Sequence, residues 1–283
     1  MTTSDSNRDL IIKPKTGWLD VQIGELWRYR DLIAMFVRRD FVTFYKQTIL
    51  GPLWFIIQPL ATTVIFTIIF GQVAKIPTDS LPPFLFYMAG NVMWGYFSST
   101  LTATSNTFSA NASIFGKVYF PRLTVPIATI IFNFLQFGIQ FVLFISFYFY
   151  FFLRGTPLSP TGWILFIPLL VLQMALLSLG FGILVSSLTT KYKDLRLAMN
   201  FLVQLWMYAT PVVYPLSQVP DWLRGYYTIN PMVALVEIFR LAFFGTSAIR
   251  VEDIVVSWIV TLICLFCGVV LFSRIEKTFM DTV

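Results

Sequence analysis

Long stretches without a charged residue dominate the pattern of this chain. Residues 51–74 contain no Asp, Glu, Lys or Arg, and neither do residues 80–116, 123–153 and 163–190. Each stretch can form a helix of about 20 residues, the length that crosses the hydrocarbon core of a bilayer. The pattern therefore predicts an all-α, polytopic membrane protein.

Pro and Gly clusters divide the apolar sequence into segments. We predict six transmembrane helices at 51–73, 84–106, 123–152, 163–188, 196–217 and 252–273. A further apolar segment, 229–245, is short and contains two charged residues, so we predict a re-entrant or interfacial outer helix rather than a seventh span. The six-span domain would occupy residues 49–283.

An amphipathic helix is predicted before the first span, at residues 28–48. Apolar side chains recur at helical spacing on one side, while Arg38, Arg39 and Lys46 lie on the other; Asp40 interrupts the apolar stripe. Such a helix favours the membrane interface. It would serve either as a plain anchor on anionic lipid or as a cationic contact for a phosphate-bearing lipid substrate. Residues 1–27 would form a cytoplasmic N-terminal segment.

The basic residues indicate the orientation of the spans. With both termini in the cytoplasm, fifteen of the 20 Lys and Arg residues fall inside and five, namely Lys75, Arg154, Arg224, Arg240 and Arg250, fall outside. This bias agrees with the positive-inside rule and with an even number of spans.

The composition excludes several kinds of chemistry. Of the 283 residues 57% are apolar and 12% are charged, about half the charged fraction usual for a soluble domain. The chain has no His and no P-loop motif, so it offers neither imidazole catalysis nor a P-loop ATP site. Cys264 and Cys267 lie inside an apolar span, where two small packed side chains are a better interpretation than a metal site. We predict no metal, no cofactor and no enzymatic activity in this chain.

Polar residues nevertheless recur inside the predicted spans. They are Asn91, Ser98, Thr102 and Ser105 in the second span, Asn133, Gln136 and Gln140 in the third, and Asn200 and Gln204 in the fifth. Such side chains either hydrogen-bond between helices or line a polar transport path. Glu237 and Arg240, three residues apart, could pair on one helix face, as a functional pair at membrane depth or as surface decoration at the interface.

Four motifs, in order along the chain, resemble the membrane subunit of ABC exporters for O-antigen, capsule and teichoic acid polymers. They are RDLIAMFVRRDFVTFYKQTILGPLWFIIQPL at 30–60, KVYFPRLTVPIA at 117–128, ATPVVYPLSQVP at 209–220 and INPMVALVEIFRLAFFG at 229–245. The resemblance covers the chain from about residue 25. It implies a permease in the bacterial inner membrane that works as a homodimer with two cytoplasmic ATPase subunits, which would hold ATP and Mg. The cargo would be a polyprenyl-diphosphate-linked glycan, with O-antigen favoured. Membrane lipid is expected as a contact and nucleic acid is not.

The resemblance also implies roles for individual residues. The lipid diphosphate would enter at Arg38, Arg39, Lys46, Leu50 and Gly51. The ATPase would contact a coupling helix that includes Asn111, Ile114, Phe115, Lys117, Tyr119 and Phe120. An outer gate would include Tyr214, Pro215, Asn230, Pro231, Glu237 and Arg240. We predict a channel lining of Trp54, Phe55, Gln58, Phe201, Gln204 and Tyr208. The four aromatic residues among them offer faces that suit a sliding polymer. The alternatives are an ABC permease for a drug or lipid, a membrane-embedded transferase, and a passive channel.

Overall fold

The computed structural model describes residues 23–46, 49–192 and 194–282, and helices connected by turns and loops make up these ranges. The α-helices are α1 (Ile23–Arg28), α2 (Arg30–Lys46), α3 (Trp54–Phe66), α4 (Pro83–Ser105), α5 (Thr107–Phe115), α6 (Thr124–Leu153), α7 (Ile167–Thr189), α8 (Asp194–Tyr208), α9 (Asp221–Ile229), α10 (Pro231–Phe244) and α11 (Val251–Thr282). Short 3-10 helices lie at Gly51–Leu53, Gly162–Phe166 and Leu216–Gln218, and a π-helical segment at Thr67–Val73 continues α3. No strand occurs in the described ranges, and the predicted all-α class is confirmed.

Four helical segments are long and apolar enough to cross a membrane. They are Gly51–Val73, Thr124–Leu153, Gly162–Thr189 and Val251–Glu276, and they correspond to the predicted first, third, fourth and sixth spans. Helices α9 and α10 form a fifth candidate if they are one broken span, although they are bent by 100° against each other. The described chain therefore contains four or five candidate spans by length and composition, and the count of six remains a prediction.

The other two predicted spans correspond to α4 and α8. Helix α4 has nearly the predicted bounds, but its amide and hydroxyl side chains make it less apolar than the four segments. Helix α8 ends at Tyr208, well before the predicted end at residue 217. Pro211 and Pro215 follow it, and proline cannot continue a helix because it lacks the backbone N–H and clashes with the preceding turn.

Helix α4 lies in the middle of the bundle. It contacts α3, α6, α7, α8 and α10, and buried residues occur along its whole length from Leu85 to Ser105. A helix enclosed by other helices does not have to face lipid. This position explains how α4 can carry polar side chains in a membrane protein.

Helices α7 and α11 come into close backbone contact at two glycines. A Cβ atom on Gly180 would lie 2.6 Å from the backbone nitrogen of Leu265, and one on Gly268 would lie 2.3 Å from the carbonyl oxygen of Gly180. Small residues at such crossings let the two helix backbones come into direct contact, which strengthens packing in the absence of a hydrophobic driving force.

The predicted amphipathic helix at 28–48 is α2, with Gln47 and Thr48 outside the described residues. Phe36 is buried on its inner side, while Arg38 and Arg39 are exposed. The inner side packs on α6, so protein covers much of the apolar stripe. Asp40, which interrupts the stripe in the sequence, accepts a hydrogen bond from Nε of Arg39 at 2.8 Å.

The bundle has two ends, named here after the helices that define them. At the α5 end, α2, α5 and the start of α6 share an apolar cluster with Ile183 of α7 and Phe272 of α11. At the α10 end, α9 and α10 pack beside the loop 209–220 that follows α8, and the hydroxyl of Tyr148 from α6 donates to the carbonyl of Phe243 at 3.0 Å.

Candidate functional site

A polar cavity of about 590 Å³ lies between α3, α4, α6 and α8. Its walls include Asn91, Ser98 and Thr102 of α4 and Gln136 and Gln140 of α6, five of the polar residues that the sequence places inside spans. Gln58 of α3, predicted as a lining residue, also borders it. The fold thus brings polar positions from three separate predicted spans to one cavity.

The other polar span residues lie elsewhere. Ser105 and Asn133 are buried and donate to backbone carbonyls of their own helices, those of Thr102 and Thr129. Asn200 and Gln204 are exposed on α8. Ser105 and Asn133 thus bond within their own helices, and a polar transport path stays a prediction.

The polar groups of the cavity divide into those with internal partners and those without. Asn91 donates to the hydroxyl of Thr63 on α3 at 3.2 Å, and Ser98 donates to the carbonyl of Gly95 at 3.3 Å. Within the described residues, the side-chain amides of Gln58, Gln136 and Gln140 have no hydrogen-bond partner. Gln140 is 6% exposed as a whole residue, and its amide is open to the cavity, where it can bind a polar ligand or water.

The remaining predicted lining residues lie mostly on the outside of the single chain. Trp54 is 43% exposed, Phe201 61% and Tyr208 49%. Phe55, in contrast, is 5% exposed and its ring stacks on that of Phe44, with 4.4 Å between the centroids. The exposed aromatics of α3 and α8 could line a channel only if another chain faced them, whereas Phe55 packs α3 against α2.

The predicted entry residues lie on α2 and on the turn that follows it. Arg38, Lys46 and Leu50 are exposed, while Arg39 pairs with Asp40 at 2.8 Å and its guanidinium lies over the Phe36 ring at 4.8 Å. Gly51 has a φ of +50°, a left-handed conformation that favours glycine, and this turn starts the helical segment of the first candidate span.

The predicted coupling residues have a buried side and an exposed side. Asn111, Phe115 and Phe120 are buried, Ile114 is half-buried, and Lys117 and Tyr119 are exposed. The buried side belongs to the apolar cluster of the α5 end, where Phe108 stacks on Phe272 of α11 at 4.5 Å. Any force on the exposed side would therefore reach α2, α6, α7 and α11 through direct contacts.

Arg122 was not predicted as a functional residue, yet it links the coupling segment, residues 111–120, to α11. It is buried, its Nη1 donates to the backbone carbonyl of Glu276 at 2.6 Å, and its guanidinium lies 5.6 Å from the Phe115 ring. Burial lowers the pKa of Arg122 from its ordinary value and Glu276 opposes that shift, but an arginine stays charged. A single arginine in a loop gives no sequence signal for a partner 154 residues away.

The predicted gate residues meet around the loop after α8. Asn230 donates to the carbonyl of Ala209 at 2.9 Å and accepts from the indole N–H of Trp206 at 2.9 Å. The hydroxyl of Tyr214 donates to the carbonyl of Tyr208 at 2.8 Å and lies 2.7 Å from that of Tyr227. Pro215 and Pro231 are both buried next to this network.

Glu237 and Arg240 form the predicted pair, with Nη1 of Arg240 3.1 Å from Oε1 of Glu237. The alternative of surface decoration is wrong, because Glu237 is 3% and Arg240 2% exposed. Arg240 also donates to the carbonyls of Pro211 and Val212 at 2.6 and 3.0 Å, and its guanidinium lies 3.7 Å from the centroid of the Phe86 ring. Gly90 allows this loop to approach α4, since a Cβ there would lie 2.9 Å from the Val212 carbonyl oxygen.

Apolar helices long enough to cross a membrane, packed around a polar cavity, are typical of polytopic membrane proteins. A family model described as ABC-2 type transporter matches residues 31–244. The chain belongs to this family, and the predicted membership among ABC permease subunits is confirmed. Members of the family are transport subunits rather than enzymes.

The relatives of this chain match it over nearly their whole length. The O-antigen export system permease protein RfbA of Klebsiella pneumoniae is 26% identical over 251 residues, 89% of this chain and 94% of the relative. The capsule polysaccharide export inner-membrane protein CtrC of Neisseria meningitidis is 23% identical, with 93% of this chain and 96% of the relative covered. The polysialic acid transport protein KpsM of Escherichia coli is 25% identical, with coverages of 88% and 95%.

Proposed function

We propose that this chain is the permease of an ABC exporter that moves a lipid-linked polysaccharide, with O-antigen favoured, across the bacterial inner membrane. The structural observation that carries the proposal is the polar cavity inside the helical bundle. A hydroxyl-rich glycan can form hydrogen bonds with its amides, whereas an acyl chain or an apolar drug would leave those amides unpaired. The relatives described above are named for O-antigen export, capsule polysaccharide export and polysialic acid transport, and these names support the same substrate class.

The proposed assembly contains two copies of this chain and two separate ATP-binding subunits, which supply ATP and Mg. The exposed aromatics of α3 and α8 support a channel between the copies, and the exposed Lys117 and Tyr119 support an ATPase contact at the α5 end.

The proposed topology has six spans and cytoplasmic termini. Helix α4 is about 34 Å long by the rise of an α-helix, enough to cross the membrane inside the bundle. Helix α8 and the loop after it would complete the fifth crossing, so that α9 and α10 form the outer gate. The α5 end, with its basic residues, would face the cytoplasm.

Deletion of the gene in its host tests this function. We expect lipid-linked polysaccharide to accumulate in the cytoplasmic fraction and to disappear from the cell surface. A plasmid copy of the wild-type gene should restore the surface polymer. Normal surface polysaccharide in the deletion strain would contradict the proposal and would favour the drug or lipid exporter.

Substitution of the aromatic residues tests the channel. Trp54→Ala and Tyr208→Ala should each slow the appearance of surface polymer in the complemented strain, because a sliding glycan would lose apolar contacts. Phe149→Ala on α6 is the matched control, since Phe149 is also exposed, at 56%, but lies outside the predicted lining. Equal export rates in all three variants would contradict a channel along α3 and α8.

A further inference from the structure

We propose that the cavity between α3, α4, α6 and α8 is a side pocket that holds one neutral sugar unit of the polymer beside the channel. The amides of Gln58, Gln136 and Gln140 would bind the hydroxyl groups of that unit. This inference rests on the proposed function and adds a specific binding site to it.

The size and walls of the pocket suit such a ligand. Its volume of about 590 Å³ falls within the usual range of small-molecule sites. No charged residue from the described part of the chain lines it, so these walls offer no counter-ion to a diphosphate headgroup. Trp94, which is 6% exposed, contributes an aromatic surface against which the apolar face of a sugar ring can pack.

Gln140 is the strongest indication that a polar ligand binds here. Its side chain is 6% exposed and has no hydrogen-bond partner within the described ranges. Its Oε1 atom would lie 3.4 Å from a Cβ atom on Gly95, so the absence of a side chain at Gly95 leaves the space for this amide. The amide atoms of Gln140 are not among the fully buried, unpaired side-chain atoms of the described residues, so they are open to the cavity and a bound hydroxyl group can reach them.

The three amides also match the chemistry of a sugar better than that of other ligands. Gln136 and Gln140 are four residues apart on α6 and share a helix face, while Gln58 borders the same cavity from α3. Each amide has two donor hydrogens and one acceptor oxygen, and each sugar hydroxyl can both donate and accept. The nearby Asn91 and Ser98 already donate hydrogen bonds within the protein, so we assign them to the wall of the pocket and not to ligand binding.

Photo-crosslinking in the living host tests the pocket with the native polymer as the probe. The photoreactive residue p-benzoylphenylalanine is placed at Gln136, at Thr62 on another wall of the cavity, or at Leu135, which is 48% exposed outside it. After irradiation, the tagged permease is purified and stained with antiserum against the surface polysaccharide of the host. We expect polymer adducts at position 136 or 62 and none at position 135.

Only variants that still export polymer are compared, so that a missing adduct does not reflect misfolding. The proposed pocket would be contradicted if exporting variants formed no adduct at position 136 and none at position 62. Adducts at position 135 as strong as those in the cavity would also contradict it. These results differ from failure of the proposed function, in which the deletion strain itself would keep its surface polymer.

Removal of an amide gives a second test. Gln140→Leu should slow export by about fivefold, the factor that corresponds to one lost hydrogen bond of typical strength. Gln72→Leu makes the same chemical change at an exposed position outside the cavity and should leave the rate unchanged. A Gln140→Leu variant that is present at normal levels and exports at the wild-type rate would contradict a hydrogen-bonding role for this amide.

Discussion

At the residue scale, the buried Arg240 of α10 and the half-buried Asn230, which caps the start of that helix, hold the loop that follows α8. Asn230 binds the carbonyl of Ala209, and Arg240 binds those of Pro211 and Val212. The carbonyls after a helix end have no partners within the helix, so outside donors must supply them where water is excluded. The loop therefore owes its position to side chains about 20 to 30 residues further along the chain.

Substitution of Arg240 tests this arrangement. Arg240→Ala removes both carbonyl contacts and leaves Glu237 buried without its cation, so we expect a loss of about 3–5 kcal/mol in stability. Arg250→Ala, at an exposed position on the same side of the bundle, is the control and should change stability little. Thermal unfolding of the two purified variants in detergent measures the difference. Equal unfolding temperatures for both variants would show that Arg240 does not hold the loop.

The sequence reveals only part of this network. The spacing of Glu237 and Arg240 is enough to predict that they pair, since residues three apart share a helix face. The sequence does not indicate that the carbonyls of Pro211 and Val212 accept hydrogen bonds from Arg240, because every residue has a backbone carbonyl. Likewise, Gln136 and Gln140 are recognisable as polar residues in an apolar span, but the missing partner of Gln140 is visible only once the neighbouring helices are placed.

At the scale of helices, the close contact between α7 and α11 depends on their glycines. Gly180→Ala would place a Cβ atom 2.6 Å from the Leu265 nitrogen, so the two helices must move apart. We expect a loss of about 1–3 kcal/mol, as for other overpacked sites.

Gly138→Ala on α6 is the matched control, because nothing lies within 4 Å of its added Cβ. Alanine favours a helix by up to about 1 kcal/mol relative to glycine, so this variant should be as stable as the wild type or more so. Gly180→Ala should therefore lower the unfolding temperature in detergent, whereas Gly138→Ala should leave it unchanged or raise it. A stable Gly180→Ala variant would mean that the helices cross with more space than the structure indicates.

The exposed and buried sides of the coupling segment should respond differently to substitution. Lys117→Glu combined with Tyr119→Ala changes only exposed positions, so it should leave the unfolding temperature unchanged while it reduces export and co-purification of the ATPase. Phe115→Ala, on the buried side, should instead lower stability by about 3–5 kcal/mol. Full export by the Lys117→Glu/Tyr119→Ala variant would place the ATPase contact elsewhere.

Most helix bounds follow from local sequence signals, and the exceptions have physical causes. The apolar runs at 51–73 and 163–188 predict their helices closely because apolar length is a local property. The early end of α8 could have been predicted from Pro211 and Pro215, but the apolar composition of 196–217 suggested a full span. The central position of α4 depends on which helices surround it, and this arrangement has no signal in α4 alone.

At the scale of the whole molecule, the single chain leaves apolar and aromatic surface uncovered on several helices. Lipid accounts for such surface on α6 and α11, as expected for candidate spans. The exposed aromatics of α3 and α8 adjoin the polar cavity, whose walls include Gln58 of α3 and Val203 and Met207 of α8. We propose that this side of the bundle faces the second copy and the channel.

Protection of newly made polymer inside inverted membrane vesicles from the host is the most direct test of polysaccharide export. The cytoplasmic side faces outward in these vesicles, so lipid-linked polysaccharide starts exposed to an added glycosidase. With the wild-type permease, ATP should make the polymer resistant to the enzyme, and vesicles from the deletion strain should show no such protection. Protection of equal extent in both kinds of vesicle, or none in wild-type vesicles that hydrolyse ATP, would contradict the account.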